Sequence, residues 1–123
     1  MRIGHNDNSL SIEKVGQNSC PIWRFEATVI GAGWMFAGMY DRVIANSSPE
    51  IRKAMADFAA LRAQRFEVEL SEGGWLRLKR DARGYILLRY RVSRLQAGAA
   101  LEGEIVLESD FAGGFCSELA ALL

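Results

Sequence analysis

Apolar and polar residues alternate with a period of two through most of this chain. In its second half the alternating segments come as neighbours that can pair in only a few ways. In residues 85–94, Ile86, Leu88, Tyr90 and Val92 lie on one face. If Val92 faces Leu101, then Tyr90 faces Gly103 and Leu88 faces Ile105. The same register sets Arg91 against Glu102, Arg89 against Glu104 and Leu87 against Val106 on the other face. A glycine opposite Tyr90 leaves room for the ring to lie over the backbone. A slip of one residue would expose the whole apolar face, and each cross-strand ion pair adds ~0.2–1 kcal/mol to the preference. Just upstream, Phe66, Val68 and Leu70 alternate with Arg65, Glu67 and Glu69, and Leu76 and Leu78 with Arg77 and Lys79. Pairing Leu70 with Leu76 and Val68 with Leu78 sets Glu69 opposite Arg77, Glu67 opposite Lys79 and Arg65 opposite Asp81. With a turn at residues 81–84, the second half reads as a four-stranded antiparallel meander.

The first half follows the same period. Residues 9–15 carry Leu10 and Ile12 on one face. In 20–30, Trp23, Phe25, Ala27 and Val29 alternate with Arg24, Glu26 and Thr28. Gly31-Ala32-Gly33 reads as a three-residue turn, and residues 34–41 return as the second arm of a hairpin. That loop length puts Trp34, Phe36 and Tyr40 on the face of Ile22, Thr28 and Ile30, opposite Phe25 and Val29. Two segments switch to helical spacing. Ser47 and Glu50 have capping-box spacing around Pro49, and Ile51, Met55, Phe58 and Leu61 or Arg62 form a stripe within residues 49–63. Phe111, Phe115, Leu119 and Leu122 form a second stripe within 110–122, which Ser109 or Asp110 can cap. The expected fold is α+β in two layers. One twisted antiparallel sheet of six or seven strands carries both helices on one face, in the order β(β)βαββββα. Residues 1–123 read as a single domain, with 1–8 a flexible tail.

Composition narrows the chemistry. Half of the residues are hydrophobic and 24% are charged, which excludes intrinsic disorder. Fifteen Lys and Arg balance fifteen Asp and Glu, which argues against a general nucleic-acid or membrane-surface binder. The one histidine, His5, lies in the polar N-terminal segment, and Cys20 and Cys116 are too few for a disulfide framework or a closed zinc site. Nothing in the residues calls for a catalytic centre, a metal or a cofactor, so the expectation is a non-enzyme. The most apolar stretch, 21–43, is broken by Arg24, Glu26, Asp41 and Arg42, whereas a membrane span needs about 20 nearly uncharged residues. With no secretory signal legible, the expected compartment is the cytoplasm, where both cysteines stay reduced.

Two surfaces stand out as sites. Trp34, Phe36 and Tyr40 share one strand face and form the candidate partner-binding surface, for another protein or a second copy of the chain. The alternative is a basic face made by Arg77, Lys79, Arg89 and Arg91, which would take nucleic acid or a ligand in a small homo-oligomeric domain. Carboxylates on neighbouring strands oppose that basic face, so nucleic acid ranks below protein as the partner. Gly31-Ala32-Gly33 lacks the third glycine and the following helix of a dinucleotide fingerprint and is a turn.

Short patterns distributed over residues 9–123 carry a resemblance. They are Gly33-Trp34-Met35-Phe36-Ala37-Gly38, Phe58-Ala59-Ala60-Leu61, Ser71-Glu72-Gly73-Gly74-Trp75-Leu76-Arg77-Leu78, Asp81-Ala82-Arg83-Gly84-Tyr85-Ile86 and Leu107-Glu108-Ser109-Asp110-Phe111. In these the chain resembles the small bacterial WapI-type immunity proteins and a related bacterial family of unknown function. The resemblance implies a cytosolic protein that binds and neutralises a cognate toxin by occlusion, and it carries over no catalytic residues. The arginine-rich hairpin and the Gly113-Gly114 pair depart from that family's pattern.

Overall fold

The computed structural model describes residues 1–5, 7–17, 19–31, 34–46, 48–94 and 99–123, with side chains described except at 5, 31–37, 94 and 99. Four strands come first: β1 (Arg2–His5), β2 (Asn8–Gln17), β3 (Pro21–Gly31) and β4 (Trp34–Val43). Helix α1 (Ser48–Ala59) follows. Then come β5 (Arg65–Glu69), a 3-10 turn at Ser71–Gly73, β6 (Trp75–Arg80), β7 (Ile86–Arg94), β8 (Ala99–Leu107) and α2 (Ser109–Ala121). The fold is α+β with antiparallel pairing, as the alternation predicts.

The strands do not form one sheet. They make two four-stranded meanders, β1-β2-β3-β4 and β5-β6-β7-β8, each followed by a helix. Hairpin pairing is satisfied locally within each half. Among the described residues, a single bridge between Ile44 and Leu70 joins the two meanders in the manner of a sheet. Both sheets and both helices contribute to one core. Leu10, Ile12, Trp23 and Phe25 enter it from the first sheet, and Val68, Leu78, Leu88 and Tyr90 from the second. Ile51, Met55 and Phe58 enter from α1, and Phe115, Cys116 and Leu119 from α2. Residues 2–5, expected as part of a tail, form β1 in antiparallel register with β2. The Met1 ammonium donates to the Ile12 carbonyl at 3.0 Å, which ties down that end of the chain.

Register separates the two halves of the sequence reading. β7 and β8 pair as charge and core together predict: Tyr90 opposite Gly103, Arg89 opposite Glu104, Arg91 opposite Glu102. β5 and β6 pair one position further from the turn on one strand and one nearer on the other, so Phe66 meets Leu78 and Val68 meets Leu76. The apolar face survives because the shift preserves parity. The ion partners change: Glu67 faces Arg77, Glu69 faces Trp75 and Arg65 faces Lys79. Leu70 bridges Ile44 on one side while its amide donates to the Gly74 carbonyl at 3.0 Å on the other, and Trp75 pairs with Glu69.

Helix α1 stops at Ala59 because Leu61 adopts a left-handed conformation (φ 64°) and is exposed, off the stripe that sequence assigns it to. Residue 47, the expected cap, lies outside the described residues. α2 begins after Glu108, and neither Ser109 nor Asp110 supplies a side-chain cap. The helix C-termini are held from outside, where the last carbonyls lack partners in the helix. Arg80 donates to the Phe58 carbonyl at 2.7 Å, with its guanidinium 4.3 Å from the Phe58 ring centre. Trp23 Nε1 donates to the Leu122 carbonyl at 2.9 Å.

Candidate functional site

Strand β4 carries the three aromatics singled out by sequence, but on the opposite parity from that expected. β3 continues through Gly31, which pairs with Trp34, so two residues rather than three separate the arms. Every position of β4 is thereby displaced by one. Phe36 pairs with Val29 and Tyr40 with Phe25, and Tyr40 shares the pleat of the core-facing residues rather than that of Ile22, Thr28 and Ile30. The side chains of Trp34 and Phe36 lie outside the described residues. The Tyr40 ring is half-buried and folds back over Gly38, and the Arg42 guanidinium sits 5.4 Å from its centre.

The same displacement turns Met39, Asp41 and Val43 to the outer face of the first sheet. Met39 is 54% exposed, Val43 41%, and Ile30 on the neighbouring strand 45%. β4 is also the last strand of its sheet. The Ile44 amide donates to Pro21 of β3, whereas the Val43 amide donates away from β3 to Ser71 Oγ and the Ala45 amide to the Glu69 carbonyl. Because amide direction alternates along a strand, Met35, Ala37, Met39 and Asp41 also direct their N–H and C=O groups outward, the Asp41 carbonyl toward Arg42. The amides of Val43 and Ala45 are taken up by the second half of the chain. Among the described residues no strand pairs with the outer side of the stretch before them, an edge beside exposed Met39 and Ile30 that sequence reasoning missed. The signal available was the length of the glycine turn, which is permissive enough to fit either register.

Arg42 anchors the covered end. It is 7% exposed, donates to the Asp41 carbonyl at 2.6 Å and to the Ser93 carbonyl at 2.8 Å, and pairs with Glu72 at 3.0 Å. Ser93 in turn donates from Oγ to the Glu72 carbonyl. β4 is thus locked to the 3-10 turn and to β7 at its C-terminal end.

The alternative basic face is the solvent side of the second sheet. Its arginines are largely engaged: Arg77 with Glu67 at 2.9 Å, Arg89 with Glu104 at 3.5 Å and Arg91 with Glu102 at 3.3 Å. The Arg77 guanidinium also lies 3.9 Å from the Trp75 ring centre. Lys79 stands opposite Arg65 rather than Glu67.

The displaced pKa values trace to ion pairing and burial. Hydrogen bonding to Arg24 holds Asp41 below the usual carboxylate range, and hydrogen bonding to Arg83 does the same for Asp81. Burial raises the Cys116 thiol against the opposing effect of Arg80, and burial raises the Tyr90 phenol. Among the described residues no group of three or more His, Cys, Asp or Glu is placed to hold a metal ion, and no helix is long and apolar enough to cross a membrane. Comparison with family models, with curated proteins and with solved structures finds no match for this chain.

Proposed function

We propose that this chain is a non-enzymatic protein-binding module that captures an extended segment of another protein along the free edge of β4. The observation that carries the reading is the open edge itself. Outward backbone groups over residues 35–39 stand beside exposed Met39 and Ile30. An added strand takes its affinity from main-chain hydrogen bonds and its selectivity from alternate side chains, and this edge supplies both. Trp34, Phe36 and Tyr40 belong to the binding strand. Ion-paired carboxylates and a buried thiol whose pKa is raised support a role by occlusion rather than by catalysis. In the narrower form that the family resemblance offers, the protein is an immunity-type partner of a bacterial toxin in the cytoplasm. A second copy of the chain is the competing occupant.

A photo-crosslinking residue at position 39 tests the reading in cells that make the protein, with the same residue at position 118 on α2 as control. The expected result is a heterologous adduct at 39 that is missing at 118 and lost when Ala37→Pro blocks the outward amide of the edge. An adduct of twice the chain mass identifies self-association instead. Equal labelling at both positions, or none at 39, overturns the proposal.

A further inference from the structure

The solvent face of the second sheet follows one rule except at one end. Across β5, β6, β7 and β8, one row reads Glu67, Arg77, Arg89, Glu104, and its acids at the two edges engage the arginines in the middle. In the next row Arg65 faces Lys79 directly, and Lys79 faces Leu87. Facing like charges are unfavourable on a bare sheet, where directly opposed side chains lie roughly 5 Å apart at Cβ. Arg65 and Lys79 are both exposed, and neither has a carboxylate partner among the described residues. They stand at a groove of about 540 Å³ that Arg77, Arg89, Glu67 and Leu87 also line. Four cations and one carboxylate surround this space, and the carboxylate is already engaged by Arg77.

We infer that this groove is a binding site for a compact phosphate-bearing ligand, independent of the β4 edge. A phosphate dianion neutralises both facing cations, whereas a single carboxylate neutralises one. The planar guanidinium of Arg65 offers paired donors that match phosphate oxygens, and Lys79 adds a compact charge from the adjoining strand. Leu87, half-buried, gives the groove an apolar wall for the organic part of a phosphate ester. The volume falls within the range of small-molecule sites, about 300–1,000 Å³. The field is local. Beyond Arg65 and Lys79 the arginines of this face are paired, and Glu69, Glu102 and Glu104 flank the central strands, so a long polyanion crossing the sheet would run onto carboxylates.

Isothermal titration of the full chain with inorganic pyrophosphate tests the site, with adenosine diphosphate and oligothymidylate in parallel. Saturable binding of pyrophosphate is expected, weakened about tenfold or more by Lys79→Gln and by Arg65→Gln and left unchanged by Glu69→Gln. Tighter binding of adenosine diphosphate than of pyrophosphate supports a nucleotide ligand, and equal binding supports the phosphate group alone. Both substitutions are on exposed side chains, and circular dichroism verifies that the variants fold. Absence of saturable binding overturns the site, as does equal affinity in the Lys79→Gln protein. Preference for oligothymidylate with steep salt dependence also overturns it, in favour of nucleic acid.

Discussion

Gly103→Ala is the substitution whose effect is most tightly bounded by the structure. Gly103 on β8 faces Tyr90 on β7, and the Tyr90 ring lies across the glycine with no exposure to solvent. A Cβ at Gly103 would fall well inside van der Waals contact of Tyr90 Cζ and Oη and 2.5 Å from Cε1. Carbon atoms prefer separations of about 3.5–4.0 Å, so the ring or the strand must give by roughly 1 Å. A ring enclosed on all sides by core residues cannot retreat without displacing them. Overpacking of this kind costs typically 1–3 kcal/mol, and disturbance of the β7–β8 pairing brings the expected loss to roughly 2–4 kcal/mol. At roughly 4 °C per kcal/mol for a domain of this size, Tm falls by about 8–16 °C. Urea unfolding followed by tryptophan fluorescence measures the effect. The buried Tyr90 hydroxyl has no hydrogen-bond partner among the described residues, so Tyr90→Phe is expected to leave stability unchanged or raise it by up to about 1 kcal/mol. The double variant Gly103→Ala with Tyr90→Leu is expected to recover part of the loss, which a double-mutant cycle reads as coupling of about 1 kcal/mol or more. If Gly103→Ala unfolds within about 0.5 kcal/mol of the parent, the close approach of Tyr90 to β8 is wrong, and with it the size argument for this register.

Arg42→Met is expected to destabilise by about 2–3 kcal/mol in the same assay. It leaves the Ser93 carbonyl unpaired, and Glu72 is exposed enough to be resolvated. Arg42→Lys should restore only part of that, because an ammonium cannot reproduce the fork, and full rescue would refute the strap. Leu61→Gly is expected to stabilise by about 0.5–1 kcal/mol, since the exposed side chain contributes little burial and the left-handed conformation favours glycine. Of the two thiols, half-exposed Cys20 is expected to react with a disulfide reagent in the native protein and Cys116 only after unfolding. Equal native rates would show that α2 does not hold Cys116 against the core.

The secondary structure and much of the second sheet were legible in the residues because several independent constraints agree there. Between β7 and β8, core parity, two ion pairs and the fit of Tyr90 over Gly103 all select one register, and a wrong choice would violate all of them together. The β5–β6 pairing was less constrained. Two registers keep the same apolar face, and the one adopted depends on the Ile44–Leu70 bridge, a contact made with a strand on the far side of α1. In the β3–β4 hairpin the glycine turn admits either of two lengths, and both faces carry apolar residues, so local pattern could not assign Trp34, Phe36 and Tyr40 to a pleat. The register adopted pairs Gly31 with Trp34 and sets Tyr40 opposite Phe25 of the common core. The division into two sheets and the burial of Arg42 also escaped the sequence. Period-two alternation specifies which way a side chain points, and it carries no information about which distant strand or carbonyl it will meet. Those meetings are set by the shape of the whole core, and only the folded chain brings β4, the 3-10 turn and β7 close enough for one arginine to join them.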